Sequence, residues 1–215
     1  MNSEPGLRER KKQQTRRAIA DAAKRLFLDR GFDQVSVAEV ARAADVSEQT
    51  VFNYFPTKED LVYAQMGTFQ NEILAAVRER PEGESPLHAF ARFILDRSDS
   101  AMAGEGKRRV AELTRLVSES PSLMARERQI VATYTDALAA LLAEETGTSA
   151  DDIEPRVVAE AMTAFHRSLV DFTRRRALSR RSSADLAAEI RAAGERALSV
   201  LEAGLADYGR RTVRR

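Results

Sequence analysis

An all-α fold of about nine helices is predicted for this chain of 215 residues. Three observations carry the prediction. Glycine and proline number only 10 and 6 and cluster at element boundaries. Alanine, leucine, arginine and glutamate, all good helix formers, abound. No strand-like alternation longer than a few residues occurs, and no internal repeat.

The elements follow in chain order. Ile19, Ala22, Ala23, Leu26 and Phe27 recur at helical spacing, which places a first helix from about Gln13 to Arg30, stopped by Gly31. Ser36 with Glu39 is a capping box that opens a short helix ending near Ala44. Ser47 caps another short helix through Tyr54, and Pro56 then breaks the chain. Thr57 to Asp60 opens a long helix carrying Leu61, Met66, Phe69, Ile73 and Val77. A loop at Pro81–Glu84 follows. Ser85-Pro86 and Ser120-Pro121 each set a serine cap before a first-turn proline. Between them Gly104-Glu105-Gly106 separates a helix with Phe90, Phe93 and Ile94 from one with Val110, Leu113 and Val117. Gly147 closes the helix begun at Pro121. Asp151 to about Leu178 is helical, with Val157, Ala161, Phe165, Leu169 and Phe172 on one face. Ser182 opens the last helix, with Leu186, Ile190, Ala197 and Leu201 inward.

Composition narrows the function. The chain has no cysteine, which excludes disulfide frameworks, thiol nucleophiles and cysteine-based zinc sites. Its two histidines, His88 and His166, are far apart, so no metal is expected, and no cofactor. Neither a Walker loop nor a dinucleotide glycine fingerprint occurs, and adjacent carboxylates such as Asp151-Asp152 point apart on a helix. No enzyme is predicted. The longest purely apolar run is Ala137–Ala143, against the roughly 20 residues of a membrane span. With a charged, polar N-terminus lacking a secretory signal, the expected location is cytoplasmic, without a membrane partner.

Charge is unevenly spread although the net value is +1. Residues 1–30 carry nine Lys/Arg against four Asp/Glu, residues 65–166 eleven against seventeen, and residues 167–215 twelve against six. Such asymmetry fits an anionic partner near one end, nucleic acid among them; solvated helix faces and a loose basic tail are the plainer reading. The stretch Ser36 to Phe55 favours nucleic acid. Two capped short helices joined by Ala44-Asp45-Val46 have helix-turn-helix spacing, and the second helix of such a motif enters the major groove. Val37, Val40, Ala41, Val46, Val51 and Phe52 are expected to lock the pair. Glu48, Gln49, Thr50, Asn53 and Tyr54 form the polar face.

In this region the sequence resembles the TetR (tetracycline-repressor) family of bacterial transcription factors. The resemblance runs from Thr15-Arg16 through Ile19, Ala22-Ala23, Leu26-Phe27, Gly31-Phe32, Ser36-Val37, Val40-Ala41, Val46-Ser47, Thr50-Val51 and Phe55-Pro56 to Lys58-Glu59-Asp60-Leu61. Two positions depart from the family pattern. Asp45 stands where glycine is usual, and aspartate tolerates a left-handed backbone better than most residues. Phe52-Asn53 stands where two aromatics are usual; Phe52, lacking a hydroxyl, is expected to pack inward.

The resemblance implies a DNA-binding domain over residues 1–56, with a basic N-terminal arm, and a regulatory ligand-binding and dimerisation domain over 57–215. It places Arg16, Ser36, Val37, Ser47, Glu48, Gln49, Thr50, Asn53, Tyr54 and Lys58 at DNA, with Tyr54 and Lys58 on phosphates and Glu48 and Gln49 nearest the bases. Asn53 suits adenine or a phosphate. Glu48 either accepts from a cytosine amino group or serves the positive helix N-terminus. Arg8, Arg10, Lys11, Lys12, Arg16 and Arg17 form either a phosphate-tracking arm or a frayed terminus, with the neighbouring motif favouring the arm. Arg174 to Arg176 with Arg180 and Arg181 suits the end of a helix, and Arg210 to Arg215 a solubilising tail.

The implied partners are a palindromic operator, a second copy of the chain docked through the last two helices, and a small hydrophobic effector. Small residues such as Ala161, Ala193, Gly194 and Ala197 suit close helix packing at such a dimer face. Phe90, Phe93, Met102, Tyr134, Met162, Phe165 and His166 are the candidates for effector contact. The rival readings are a ligand-independent activator or architectural DNA binder, and a helical protein-interaction adaptor.

Overall fold

In the computed structural model, which describes residues 6–149, 151–179 and 182–205, the chain forms nine α-helices and one 3-10 turn. These are α1 (Leu7–Arg30), α2 (Val37–Ala43), α3 (Glu48–Tyr54), the 3-10 turn Glu59–Leu61, α4 (Met66–Arg78), α5 (Pro86–Met102), α6 (Gly106–Ser118), α7 (Pro121–Thr146), α8 (Ile153–Ala177) and α9 (Ser183–Leu205). No strand occurs among the described residues. Arg180, Arg181 and Arg210 to Arg215 lie outside them.

The chain divides into two units. The first runs to Met66 and takes in Arg115–Glu127; the second comprises Gly67–Thr114 and the chain from Arg128 onward. The first compact unit therefore continues past residue 56, and the reason is burial. Leu61, Val117 and Leu123 sit in the same core as Ile19, Phe27, Val40, Val51 and Phe55. Polar contacts hold the α6–α7 elbow in this unit. The Tyr63 hydroxyl donates to the Leu123 carbonyl at 3.1 Å, Arg126 pairs with Asp60 at 2.7 Å, and Ser120 donates to the Asp33 carboxylate at 3.3 Å.

Two boundaries differ from the sequence expectation. The first helix starts at Leu7 rather than Gln13, so Arg8, Arg10, Lys11, Lys12 and Arg17 of the basic run stand exposed on a helix. Arginine, lysine, glutamate and glutamine favour helix individually, and the Arg10 amide bonds back to the Gly6 carbonyl at 3.0 Å. The long helix expected from Thr57 is instead a 3-10 turn, further turns, and α4 from Met66. Leu61, Val62 and Met66 each donate three residues back, to Lys58, Glu59 and Tyr63. Tyr63 is held by Leu123, and Gly67 and Thr68 are poor helix formers at the junction.

In the second unit α5, α8 and α9 pack on one another. Gly194 permits this approach. A Cβ there would stand 2.3 Å from Leu95 Cδ2 and 3.5 Å from Leu169 Cδ1. Gly194 therefore belongs to the packing within one copy, not to a face free for a second. Arg191 joins α9 to α5 through Asp99 at 2.6 Å and Asp96 at 2.7 Å. The buried Arg80 guanidinium pairs with Glu145 at 2.7 Å and donates to the Val77 and Glu84 carbonyls, pinning the loop after α4 to α7.

Candidate nucleic-acid interface

The helix pair is built by local sequence. The Ser36 hydroxyl accepts from the Glu39 amide at 3.2 Å while the Glu39 carboxylate accepts from the Ser36 amide at 2.8 Å, closing the capping box at the start of α2. Those contacts and the 2.7 Å bond from Arg30 hold the Glu39 carboxyl down at about 2, the Ser36 amide contributing most. Ser47 caps α3 by accepting from the Thr50 amide at 3.1 Å. The turn between them holds Asp45 at φ 54°, the left-handed conformation expected where glycine is usual. Val40, Ala41 and Val51 are buried where α2 and α3 meet.

The outward face of α3 carries Glu48, Gln49, Phe52 and Asn53, all exposed. Gln49 Nε2 donates to Asn53 Oδ1 at 3.1 Å across one helical turn, so the two amides form a single unit. Phe52 is 44% exposed, which corrects the expectation that it packs inward. The cause is helical geometry: each residue turns about 100°, and with Val51 directed into the core its successor is carried to the rim. No sequence pattern separates the two, because Val51 and Phe52 are both apolar.

Two cations expected at phosphates are engaged inside the unit. Arg16 donates to the Tyr54 carbonyl at 2.9 Å and the Ala64 carbonyl at 2.7 Å, and its guanidinium lies 4.3 Å from the Phe55 ring centre. It closes the C-terminal end of α3. Lys58 donates to the Phe32 carbonyl at 2.7 Å with its ammonium 4.2 Å from the Phe32 ring centre. Burial lowers its pKa from the usual lysine value, with Asp33 the strongest opposing influence. Ser36 and Ser47 are committed to caps, and the Thr50 hydroxyl lies 2.8 Å from that of Ser47. Val37 and Tyr54 are half-buried against the core. Outward positive charge comes from Arg8, Arg10, Lys11, Lys12 and Arg17 on α1.

The effector candidates belong to the second unit and fall into three groups. Tyr134 and His166 are hydrogen-bonded at 2.8 Å, and both rings pack round Phe69, with Phe93 on Phe69 at 5.8 Å between ring centres. Sequence reasoning missed Phe69 as their meeting point. Phe90, Met162 and Phe165 are core residues with almost no exposed surface. Met102 lines a separate open cleft of about 270 Å³ with Asp99, Ala103, Gly104, Ser183, Ala184 and Ala187. Among the described residues no cluster of three His, Asp or Glu is placed to hold a metal ion, and no helix is long and apolar enough to cross a membrane.

Comparison with known proteins adds to this geometry. Residues 19–64 match the family model described as bacterial regulatory proteins, tetR family, and residues 84–206 match the MftR C-terminal domain. The chain is 32% identical to the HTH-type transcriptional regulator TcmR of Streptomyces glaucescens over 168 residues, 76% of this chain and 74% of that protein. Among solved structures, NalD, the secondary repressor of the MexAB-OprM multidrug efflux pump in Pseudomonas aeruginosa, aligns with a TM-score of 0.55 at 23% identity, covering 86% of this chain and 97% of NalD. SmeT in its triclosan complex aligns with a TM-score of 0.58 at 16% identity, covering 91% and 94%. At those identities the two structures speak for the fold.

Proposed function

The chain belongs to the tetR family of bacterial regulatory proteins, DNA-binding regulators of transcription, and from that premise we propose that it is a homodimeric repressor released from a palindromic operator by a small, largely hydrophobic effector. The observation that carries the DNA-reading part is the exposed, mutually bonded Gln49–Asn53 pair on a short helix whose other face is locked into the core through Val51. Glu48, Gln49 and Asn53 face the bases, while Ser36, Val37, Ser47, Thr50 and Tyr54 border the phosphates. Arg16 and Lys58 act by positioning: one fixes the end of α3, the other ties the segment after it to Phe32. The helical basic start of α1 supplies sequence-independent attraction to DNA.

One short reading helix distinguishes few base pairs, so two copies related by a twofold axis are needed for a specific operator. The face for the second copy is the apolar stripe left open on α8 and α9, where Ile153 and Val200 are each 75% exposed and Val157 is 53% exposed. Effector recognition rests on the Phe69, Phe93, Tyr134 and His166 group, whose rings give apolar area and whose hydroxyl and imidazole give direction. An effector that prefers a form with misplaced reading heads lowers DNA affinity, and DNA lowers effector affinity by the same factor. The test is selection of DNA sequences in vitro with the full chain, followed by a screen of hydrophobic small molecules. Molecules that release the selected DNA should also raise the melting temperature. Release without a thermal shift would remove the effector from the account, and selection of no sequence would remove the DNA-reading.

A further inference from the structure

We propose that Phe52 is a specificity residue that reads the C5-methyl group of thymine beside the adenine read by Gln49 and Asn53. The assignment rests on the DNA-reading function above and adds a contact to it. Three observations lead there. Phe52 is 44% exposed on the outward face of α3, three residues after Gln49 and next to Asn53, so it shares their surface patch. Gln49 Nε2 gives one of its two N–H groups to Asn53 Oδ1, so the pair still presents an acceptor at Gln49 Oε1 beside donors at Gln49 Nε2 and Asn53 Nδ2. One acceptor beside one donor matches adenine, which offers an N6 donor and an N7 acceptor in the major groove. Amide side chains pair in this way with adenine more readily than with the other bases.

Each adenine so chosen brings a paired thymine whose methyl group lies in the same groove. A large apolar side chain beside an adenine-reading amide pair therefore finds the one apolar feature of the DNA major-groove edge. The contact also removes Phe52 from water, where nothing within its own unit covers it fully.

The experiment uses the duplex selected in vitro by the full chain, with each thymine in turn replaced by deoxyuridine, which deletes only the methyl group. Binding is measured at one salt concentration for the native chain, Phe52→Ala and Phe52→Leu. At one thymine per half-site the replacement should weaken native binding about fourfold, the effect of one buried carbon, and about fifteenfold when both half-sites carry it. Phe52→Ala should bind thymine and deoxyuridine duplexes equally, and Phe52→Leu should keep part of the difference. Because Phe52 lies at the surface, circular dichroism melting is expected to be close to native for both variants. A native chain indifferent to every methyl group, or a Phe52→Ala variant that loses as much as the native chain, overturns the assignment and leaves the DNA-reading standing. Failure to select any duplex overturns both.

Discussion

Arg16 and Lys58 show how cations beside α3 are turned to structural work. Arg16 makes two charge-assisted bonds to carbonyls 38 and 48 residues away and stacks on Phe55. Arg16→Met should lower the stability of the N-terminal unit by about 2 kcal/mol, measured by urea unfolding, because bonds to charged groups are worth about 1.5–3 kcal/mol. Loss of DNA affinity with unchanged stability would return Arg16 to the phosphates. Lys58→Met should destabilise the unit while leaving the slope of log affinity against log salt unaltered. A slope flatter by about one per monomer would show that Lys58 leaves Phe32 to neutralise a phosphate. Gln49→Ala or Asn53→Ala should cost roughly 1–3 kcal/mol at particular base pairs and little elsewhere. The amide pair was legible in the sequence because residues four apart on a helix are neighbours. The inward turn of Arg16 and Lys58 was not: their acceptors are backbone carbonyls distant in sequence, which no side-chain pattern encodes.

Helix starts set by a local cap were legible, and those set by distant contacts were not. Ser36, Ser47 and Ser85 each accept a hydrogen bond from the amide three residues on, as the sequence implies. The start of α4 at Met66 depends instead on Tyr63 reaching Leu123, a pairing invisible in any short window. The α2 cap predicts a pH response. The Glu39 carboxyl lies below its unfolded value in the folded state, so its stabilising effect is complete above about 4.5 and lost as pH falls toward about 2. Thermal melting of the native chain minus that of Glu39→Gln should shrink across that window; a constant difference would contradict the cap's ionic character. The turn gives another test. With Asp45 at φ 54°, Asp45→Gly should hold or raise the melting temperature, and Asp45→Val should cost about 1 kcal/mol or more. In the second unit Gly194→Ala should destabilise by about 1–3 kcal/mol, because Leu95 must yield to a new Cβ. A neutral outcome there would show that α5 and α9 pack less closely than described.

For the whole molecule, the all-α class and the reading motif followed from composition, caps and spacing, whereas the division into units did not. Arg115–Glu127 joins the N-terminal unit through Val117, Leu123 and Arg126, although 48 residues separate Met66 from Arg115. Only the folded chain brings them together. The proposed self-association uses the exposed apolar residues Ile153, Val157 and Val200. The double variant Ile153→Glu with Val200→Glu should sediment as a folded monomer where the native chain sediments as a dimer, and should bind half-sites and full sites alike. Native-like dimers in that variant would move the interface elsewhere. Sequence reading by a pair of α3 helices is tested by equilibrium competition at physiological salt between the selected palindrome and the same base pairs in shuffled order. The native chain should prefer the palindrome by about a thousandfold or more, and Gln49→Ala should lose much of this preference while binding shuffled DNA as before. Equal native affinity for the two duplexes, or a Gln49→Ala loss of the same size on both, would contradict it.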